Sequence, residues 1–338
     1  MSFIEASRVV RQSIITEKSG YPELIQMPGS LGQGEFGKEK LEGGDGPCVA
    51  DVDRVTFATR LKELELSFDR ASKTLWQYMT PIDRPSFTPD LLRDMTTALD
   101  MVEAAFADWQ AHDEPPVSFL VLASKMPGIF NLGGDLRLFL RLIEERDRDG
   151  LLWYARICAN GQYRRAVSLD LPICTIALVQ GDALGGGFEA ALAHQVIIAE
   201  RSAKFGLPEV LFDLFPGMGA YSFLSRRLDA VRAERMILSG RVYTADELHE
   251  MGVVDVVADD GEGVDAVYEY IRQYQRNPRS RQAVLKARSI VQPVTRQELV
   301  DVADLWVETA LTLRPSDLRR MKHLVIAQDR RWSKVRAA

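Results

Sequence analysis

The sequence predicts an α/β fold, on three observations. Short, nearly unbroken apolar runs alternate with amphipathic stretches of helical period over the first two thirds of the chain. The glycine-rich motifs sit just after those apolar runs, where ligand sites of open α/β sheets lie. Beyond Tyr221 the pattern is mostly helical. No segment repeats at a solenoid period.

Residues 1–26 hold a weakly amphipathic piece, Phe3 to Ile15, readable as a short helix. Residues 27–47 carry seven glycines and no apolar period, which is linker composition. Residues 1–48 thus form a flexible extension whose role as leader, regulatory arm or start-site artefact is open.

Residues 58–80 alternate as two strands, Leu64-Glu-Leu-Ser-Phe68 and Thr74-Leu-Trp-Gln-Tyr78, around a turn at Asp69. Thr88 is a good N-cap with Pro89 at the first helical position, and the apolar positions Leu91, Leu92, Met95, Leu99, Val102 and Phe106 continue that helix. Val117 to Ala123 is apolar enough to be a buried strand. It leads to Phe130-Asn-Leu-Gly-Gly-Asp-Leu136. Helices are expected from Leu136 to Glu145 and from Leu151 to about Val167. Ile176-Ala-Leu-Val179 reads as the next buried strand and leads into Gly185-Gly186-Gly187. Val196 to Ala199 and Lys204 to Gly206 are further short strands. The tail is predicted as helices at 222–228, 230–239, 244–251, 264–275, 279–291, 296–313 and 316–331.

Composition narrows the function classes. The chain has 338 residues, 46% hydrophobic and 27% charged, and a net charge of −6, which speaks against nucleic acid and anionic membranes as partners. Three cysteines (Cys48, Cys158, Cys174) show no pairing or metal spacing and suit a reducing compartment, with Cys174 read as core. Four scattered histidines form no ligand pair, so no metal is expected. No apolar run reaches a membrane span and no signal-peptide core is visible, so the cytoplasm is the expected location.

Two features carry chemistry. Three glycines between a strand and a helix let backbone N–H groups approach a ligand, which suits an oxyanion; a plain tight turn has the same look. Two carboxylates follow marked turns, Glu189 after the glycine triplet and Glu209 after Gly206-Leu-Pro. Like charges in one small cleft drive one pKa upward, so such a pair can supply both an acid and a base.

The segments Phe130-Asn-Leu-Gly-Gly-Asp-Leu136, Gly181-Asp-Ala-Leu-Gly-Gly-Gly-Phe-Glu189, Phe205-Gly-Leu-Pro-Glu209 and Phe215-Pro-Gly-Met-Gly219, with a later echo at Leu238 to Ala245, resemble the crotonase (enoyl-CoA hydratase/isomerase) superfamily. The resemblance covers roughly residues 60–275. It implies the spiral β-β-α fold of that superfamily, a core at 49–260, and a helical region at 261–338 that caps the acyl site and builds a homotrimer or hexamer. It implies catalytic roles for Glu189 and Glu209, and an oxyanion hole from the N–H groups of Leu132 (beside Gly133) and Gly186. Leu184, Phe188, Met218 and Trp306 are candidates for the acyl pocket, although bulky apolar residues are as readily plain core.

Phrases such as Phe-Asn-Leu-Gly-Gly-Asp-Leu, the run into Ala220-Tyr-Ser-Phe223 after Gly219, and the tail segment Trp306-Val-Glu-Thr-Ala310 resemble the diffusible-signal-factor synthase branch. That implies a bacterial quorum-sensing signal synthase. Such an enzyme dehydrates a 3-hydroxyacyl group on acyl carrier protein to a cis-2-enoyl thioester, then hydrolyses the thioester. It uses no cofactor beyond the thioester carrier and is associated with a sensor histidine kinase. No Lys or Arg stands close before Phe130, the nearest being Lys125, which favours a carrier protein over free coenzyme A. Two alternatives are an ordinary enoyl-CoA hydratase of fatty-acid oxidation and a non-catalytic binding module.

Overall fold

The computed structural model describes residues 61–337, so the expected N-terminal extension and its short helix lie outside the described residues. The α/β class expected from the sequence is the one observed.

Two sheets divide the strands. β1 (Leu64–Asp69), β2 (Thr74–Met79), β3 (Phe119–Ser124), β5 (Cys174–Val179), β7 (Val196–Glu200) and β10 (Val256–Ala258) form one sheet in the order β1-β2-β3-β5-β7-β10. Only the β1–β2 hairpin in it is antiparallel. The smaller sheet has the order β4-β6-β8-β9, from β4 (Gly128–Asn131), β6 (Gly181–Leu184), β8 (Lys204–Gly206) and β9 (Val242–Thr244). The chain winds as a spiral: β3 leads to β4, β5 to β6 and β7 to β8.

The central strands are buried on both faces. All six residues of β3 and of β5 are inaccessible, which is why their sequences read as unbroken apolar runs. Their side chains still alternate. Val121, Cys174, Ile176 and Leu178 pack with Val267, Ile271 and Tyr274 of α8 (Gly263–Arg276). Leu122, Ala177 and Val179 turn into the main core. Cys174 is core, as its neighbours suggested.

Helix boundaries follow the caps. α1 (Pro89–Ala105) starts where Thr88 accepts a hydrogen bond from the Leu91 N–H at 3.0 Å. α2 (Leu136–Glu144) is capped by Asp135, and α3 (Arg148–Ala166) by Asp147, three residues before the start expected from apolar periodicity alone. α4 (Gly186–Leu192), α5 (Ala220–Arg227), α6 (Ala230–Ser239) and α7 (Ala245–Glu250) precede β10. α9 (Pro278–Val291), α10 (Arg296–Ala310) and α11 (Pro315–Ala337) complete the described chain. β9 and β10, three residues each, lie in the part read as mostly helical; so short a strand shows no period. Among the described residues no helix is long and apolar enough to cross a membrane.

Candidate active site

Three adjacent parallel strands of the small sheet deliver the three motifs. β4 pairs with β6 (Gly128↔Gly181, Asn131↔Ala183), and β6 pairs with β8 (Leu184↔Gly206). The segments that leave their carboxyl ends are Leu132–Asp135, Gly185–Gly187 and Leu207–Glu209. They therefore lie side by side, where an α/β sheet places ligands.

Glycine is required where these segments touch. Gly133 has φ +95, and a β-carbon there would come within 2.8 Å of the Leu184 carbonyl oxygen and 3.0 Å of the Gly186 nitrogen. A β-carbon on Gly187 would meet the Asn131 carbonyl oxygen at 2.1 Å. The glycine triplet thus brings the 131–134 segment directly onto the start of α4.

A cavity of about 220 Å³ opens over this junction. Its polar lining includes Glu189 and Glu209, and Leu132, Gly133, Leu184, Gly186, Met218 and Trp306 also line it. Eight of the residues singled out in the sequence therefore meet in one place. Phe188 does not. It is fully buried in the main core, with its ring 5.2 Å from that of Phe205. Successive helical residues point about 100° apart, so the turn that aims Glu189 at the cavity aims Phe188 away from it.

The backbone donors also differ from expectation. The Leu132 N–H donates to the Pro85 carbonyl at 2.7 Å, and the Gly133 N–H donates to Asn131 Oδ1 at 2.8 Å. Neither is free for a ligand. The next N–H, that of Gly134, has no acceptor among the described residues and lies on the cavity wall beside Gly186. A β-carbon on Gly134 would come within 2.5 Å of the Phe139 ring, which would have to shift to admit it. Gly186 is the first residue of α4, so its N–H has no intrahelical partner. The exposed donor pair is therefore Gly134 and Gly186. The sequence placed the right loop but the wrong peptide, since hydrogen bonding by Pro85 and Asn131 is invisible in the motif.

The two glutamates have different surroundings. Glu189 is buried, and its Oε1 accepts hydrogen bonds from the Met218 N–H at 2.8 Å and the Ala220 N–H at 2.9 Å. Burial raises its pKa to about 7, against the lowering effect of those donors. Glu209 stands on a short 3-10 turn, Pro208–Phe212, closed by Asp213 at φ 61. Its Oε2 is buried without a partner, and its Oε1 lies against Gly185. Burial, reinforced by the Glu189 charge, holds the Glu209 pKa well above the usual carboxylate range. With Oε2 unpartnered and the Glu189 charge beside it, Glu209 keeps its proton while Glu189 ionises first. The site can thus hold one acid and one base side by side.

The remaining wall is apolar. Trp306 of α10 packs over Gly217 and lies 4.9 Å from the Phe139 ring. Leu324, Ala327, Gln328 and Arg331 of α11 also line the cavity. Tyr154 lines it too, but its hydroxyl is committed: it donates to the Phe87 carbonyl at 2.6 Å and accepts from the Asp135 N–H. Tyr154 and the α11 residues were missed because they come from helices distant in sequence and carry no local motif, and Phe139 because it lies one turn past the end of the Phe130–Leu136 motif.

Comparison with known proteins agrees with this fold. A family profile described as enoyl-CoA hydratase/isomerase matches residues 78–309. The mitochondrial methylglutaconyl-CoA hydratase of Rattus norvegicus is 31% identical over 186 residues, which is 54% of this chain and 53% of that protein. The human protein of the same name is also 31% identical, over 49% of its length. The chain thus spans about half the length of these curated relatives. The crystal structure of enoyl-CoA hydratase from Bacillus halodurans superposes with a TM-score of 0.61 at 20% identity, covering 78% of this chain and 100% of that one. The enoyl-CoA hydratase from Bacillus anthracis gives 0.58 at 23%, covering 73% and 90%. At these identities the superpositions speak to the fold.

Proposed function

The chain belongs to the enoyl-CoA hydratase/isomerase family, and from that premise we propose that it dehydrates a 3-hydroxyacyl thioester carried on acyl carrier protein, and then releases the 2-enoic acid as a diffusible-signal-factor synthase. The observation that carries the catalytic part is the buried Glu189 and half-buried Glu209, both with raised pKa values, beside two open backbone N–H groups. The motif phrases around Phe130, Gly185 and Gly219, together with the Trp306 segment, support the synthase branch.

In this reading the thioester oxygen sits between the Gly134 and Gly186 N–H groups. Each such donor typically stabilises a developing oxyanion by ~3–4 kcal/mol. Glu209 takes the C2 proton and the enolate charge passes to the thioester oxygen. Glu189 protonates the departing C3 hydroxyl, which leaves as water while the C2–C3 double bond forms. Water then attacks the thioester carbonyl, the C–S bond breaks, and the free 2-enoic acid and carrier thiol separate. Arg331 is the one cation lining the cavity among the described residues, and it is paired with Asp182. A cavity with so little spare positive charge suits an acyl chain presented by a carrier protein.

One observation favours the ordinary hydratase reading. By the burial and charge around the two carboxyls, Glu189 is the base and Glu209 the acid. That is the form that adds water to a 2-enoyl thioester: Glu189 takes a water proton and Glu209 supplies the proton to C2. The dehydrating form holds the same single proton on the other carboxyl, so the two directions share one ionisation state of the pair.

The test is to incubate purified protein with 3-hydroxyacyl carrier-protein and 3-hydroxyacyl coenzyme A thioesters and identify products by mass spectrometry. Free 2-enoic acid from the carrier substrate is the expected result. Enoyl thioester without release, or turnover of the coenzyme A substrate alone, would leave the ordinary hydratase. Silence on both would favour a binding module.

A further inference from the structure

We propose that Gln328, on the C-terminal helix, is a positioning residue that locks the peptide plane beside the Gly134 donor. The inference rests on the reading above, in which Gly134 and Gly186 receive the thioester oxygen.

The segment before Gly134 is intrinsically loose. Gly133 and Gly134 stand in succession, and Gly133 is left-handed at φ +95. A diglycine of this kind has wide access to alternative backbone states. A flip of one peptide there would redirect the next N–H and dismantle the oxyanion site.

The Leu132–Gly133 peptide is held at both ends by side-chain amides. Its N–H, on Gly133, donates to Asn131 Oδ1 at 2.8 Å. Its carbonyl, on Leu132, accepts from Gln328 Nε2 at 3.1 Å. The neighbouring groups are also engaged, the Leu132 N–H by the Pro85 carbonyl and the Gly133 carbonyl by the Phe87 N–H at 2.8 Å. Asn131 is local and buried. Gln328 comes from 196 residues away and reaches in from the cavity wall. Rotation of the plane requires both amide contacts to break together.

Gln328 does not act from a free-swinging helix. Three residues on, Arg331 pairs with Asp182 of β6 and donates to the Gly128 carbonyl of β4 at 3.3 Å. Asp329 pairs with Arg137 of α2 at 2.6 Å. α11 is therefore tied to both strands that deliver the donors and to the helix that follows the first of them. The amide of Gln328 inherits that placement.

A simple lining residue and a positioning residue predict different kinetics. Loss of lining contact weakens substrate binding and raises KM. Loss of positioning lowers kcat, because the donor is misplaced where charge develops. Misplacement on the scale of 1 Å costs roughly 100-fold.

The experiment compares full-length wild type, Gln328→Met and Gln328→Glu in steady-state hydration of a 2-enoyl thioester. Neither variant offers an amide donor, and the position is half-exposed, so at least one is expected to fold. The expected result is a fall in kcat of about 10- to 100-fold with KM within about two-fold. Asn131→Ala is expected to give a similar fall, and combining it with Gln328→Met to cost less than the product of the two, since both act on one peptide. A raised KM with unchanged kcat, wild-type kinetics in a folded variant, or full additivity with Asn131→Ala overturns the assignment. A wild type that turns over no thioester at all overturns the catalytic reading, and this one with it.

Discussion

Gly185 is the floor on which the Glu209 carboxylate rests: a β-carbon on Gly185 would lie 2.5 Å from Glu209 Oε1. The contact joins the two motifs, one ending β6 and the other following β8. It fixes where the second carboxyl stands relative to the oxyanion donors. The backbone enforces the same residue choice, since Gly185 has φ 52 and ψ −127 at the N-cap of α4.

Gly185→Ala is therefore expected to displace Glu209 and strain the cap. Turnover should fall by roughly 100-fold, and the left-handed alanine should cost about 1–3 kcal/mol of stability. Steady-state kinetics with a denaturation curve measure both. Wild-type turnover in this variant would mean that Glu209 does not need its present position.

The pH profile follows from the two carboxyls. Activity in either direction requires one proton shared between Glu189 and Glu209. As pH falls through about 7, Glu189 takes up a proton and its base form is lost. As pH rises through the higher pKa of Glu209, the last proton leaves. The expected profile of kcat/KM is a bell whose acid limb lies near 7, far above that of an ordinary glutamate. A flat profile from pH 5 to 8 would contradict this arrangement of charges.

The same burial is set against stability. A glutamate whose folded pKa is raised above its unfolded value stabilises the fold fully below the unfolded pKa, and that contribution is lost as pH rises through the folded pKa. For Glu189 the window runs from the unfolded value of 4.5 to about 7, and the destabilisation at alkaline pH is about 3 kcal/mol. Glu189→Gln keeps an oxygen to accept from Met218 and Ala220 but carries no charge. The variant should be more stable than wild type at pH 8, with the gain vanishing near pH 4. Thermal midpoints across that range check the sign, and a gain that is largest at low pH would reverse it.

How much of this was legible before the structure depends on how local each determinant is. Thr88 with Pro89 announces its helix, and the double burial of β3 and β5 makes their sequences continuous apolar runs. The two glutamates and the glycine triplet were legible because each lies within a few residues of a strand end. The Gly134 donor was not, because Pro85 and Asn131 decide which N–H stays open. Phe188 was misassigned since a glycine–aromatic–carboxylate run does not say which of two successive helical side chains faces the ligand. Gln328 and Tyr154 reach the site only through the packing of distant helices.

Trp306 and Phe188 offer a final test, because both are large buried aromatics and only Trp306 lines the cavity. Trp306 stacks over Gly217, whose absent β-carbon would lie 2.4 Å from the indole, and it leans on Phe139 at the apolar end. Trp306→Ala should enlarge that end and move selectivity, in kcat/KM, toward longer or branched acyl groups. Phe188→Ala opens a void in the core beside Phe205 instead. Each truncation should cost about 3–5 kcal/mol of stability. The separation lies in the substrate profile: acyl thioesters of graded length should reorder for Trp306→Ala and keep their wild-type order for Phe188→Ala. If both variants reorder the substrates alike, selectivity is set by the looseness of the core as a whole and not by the cavity wall.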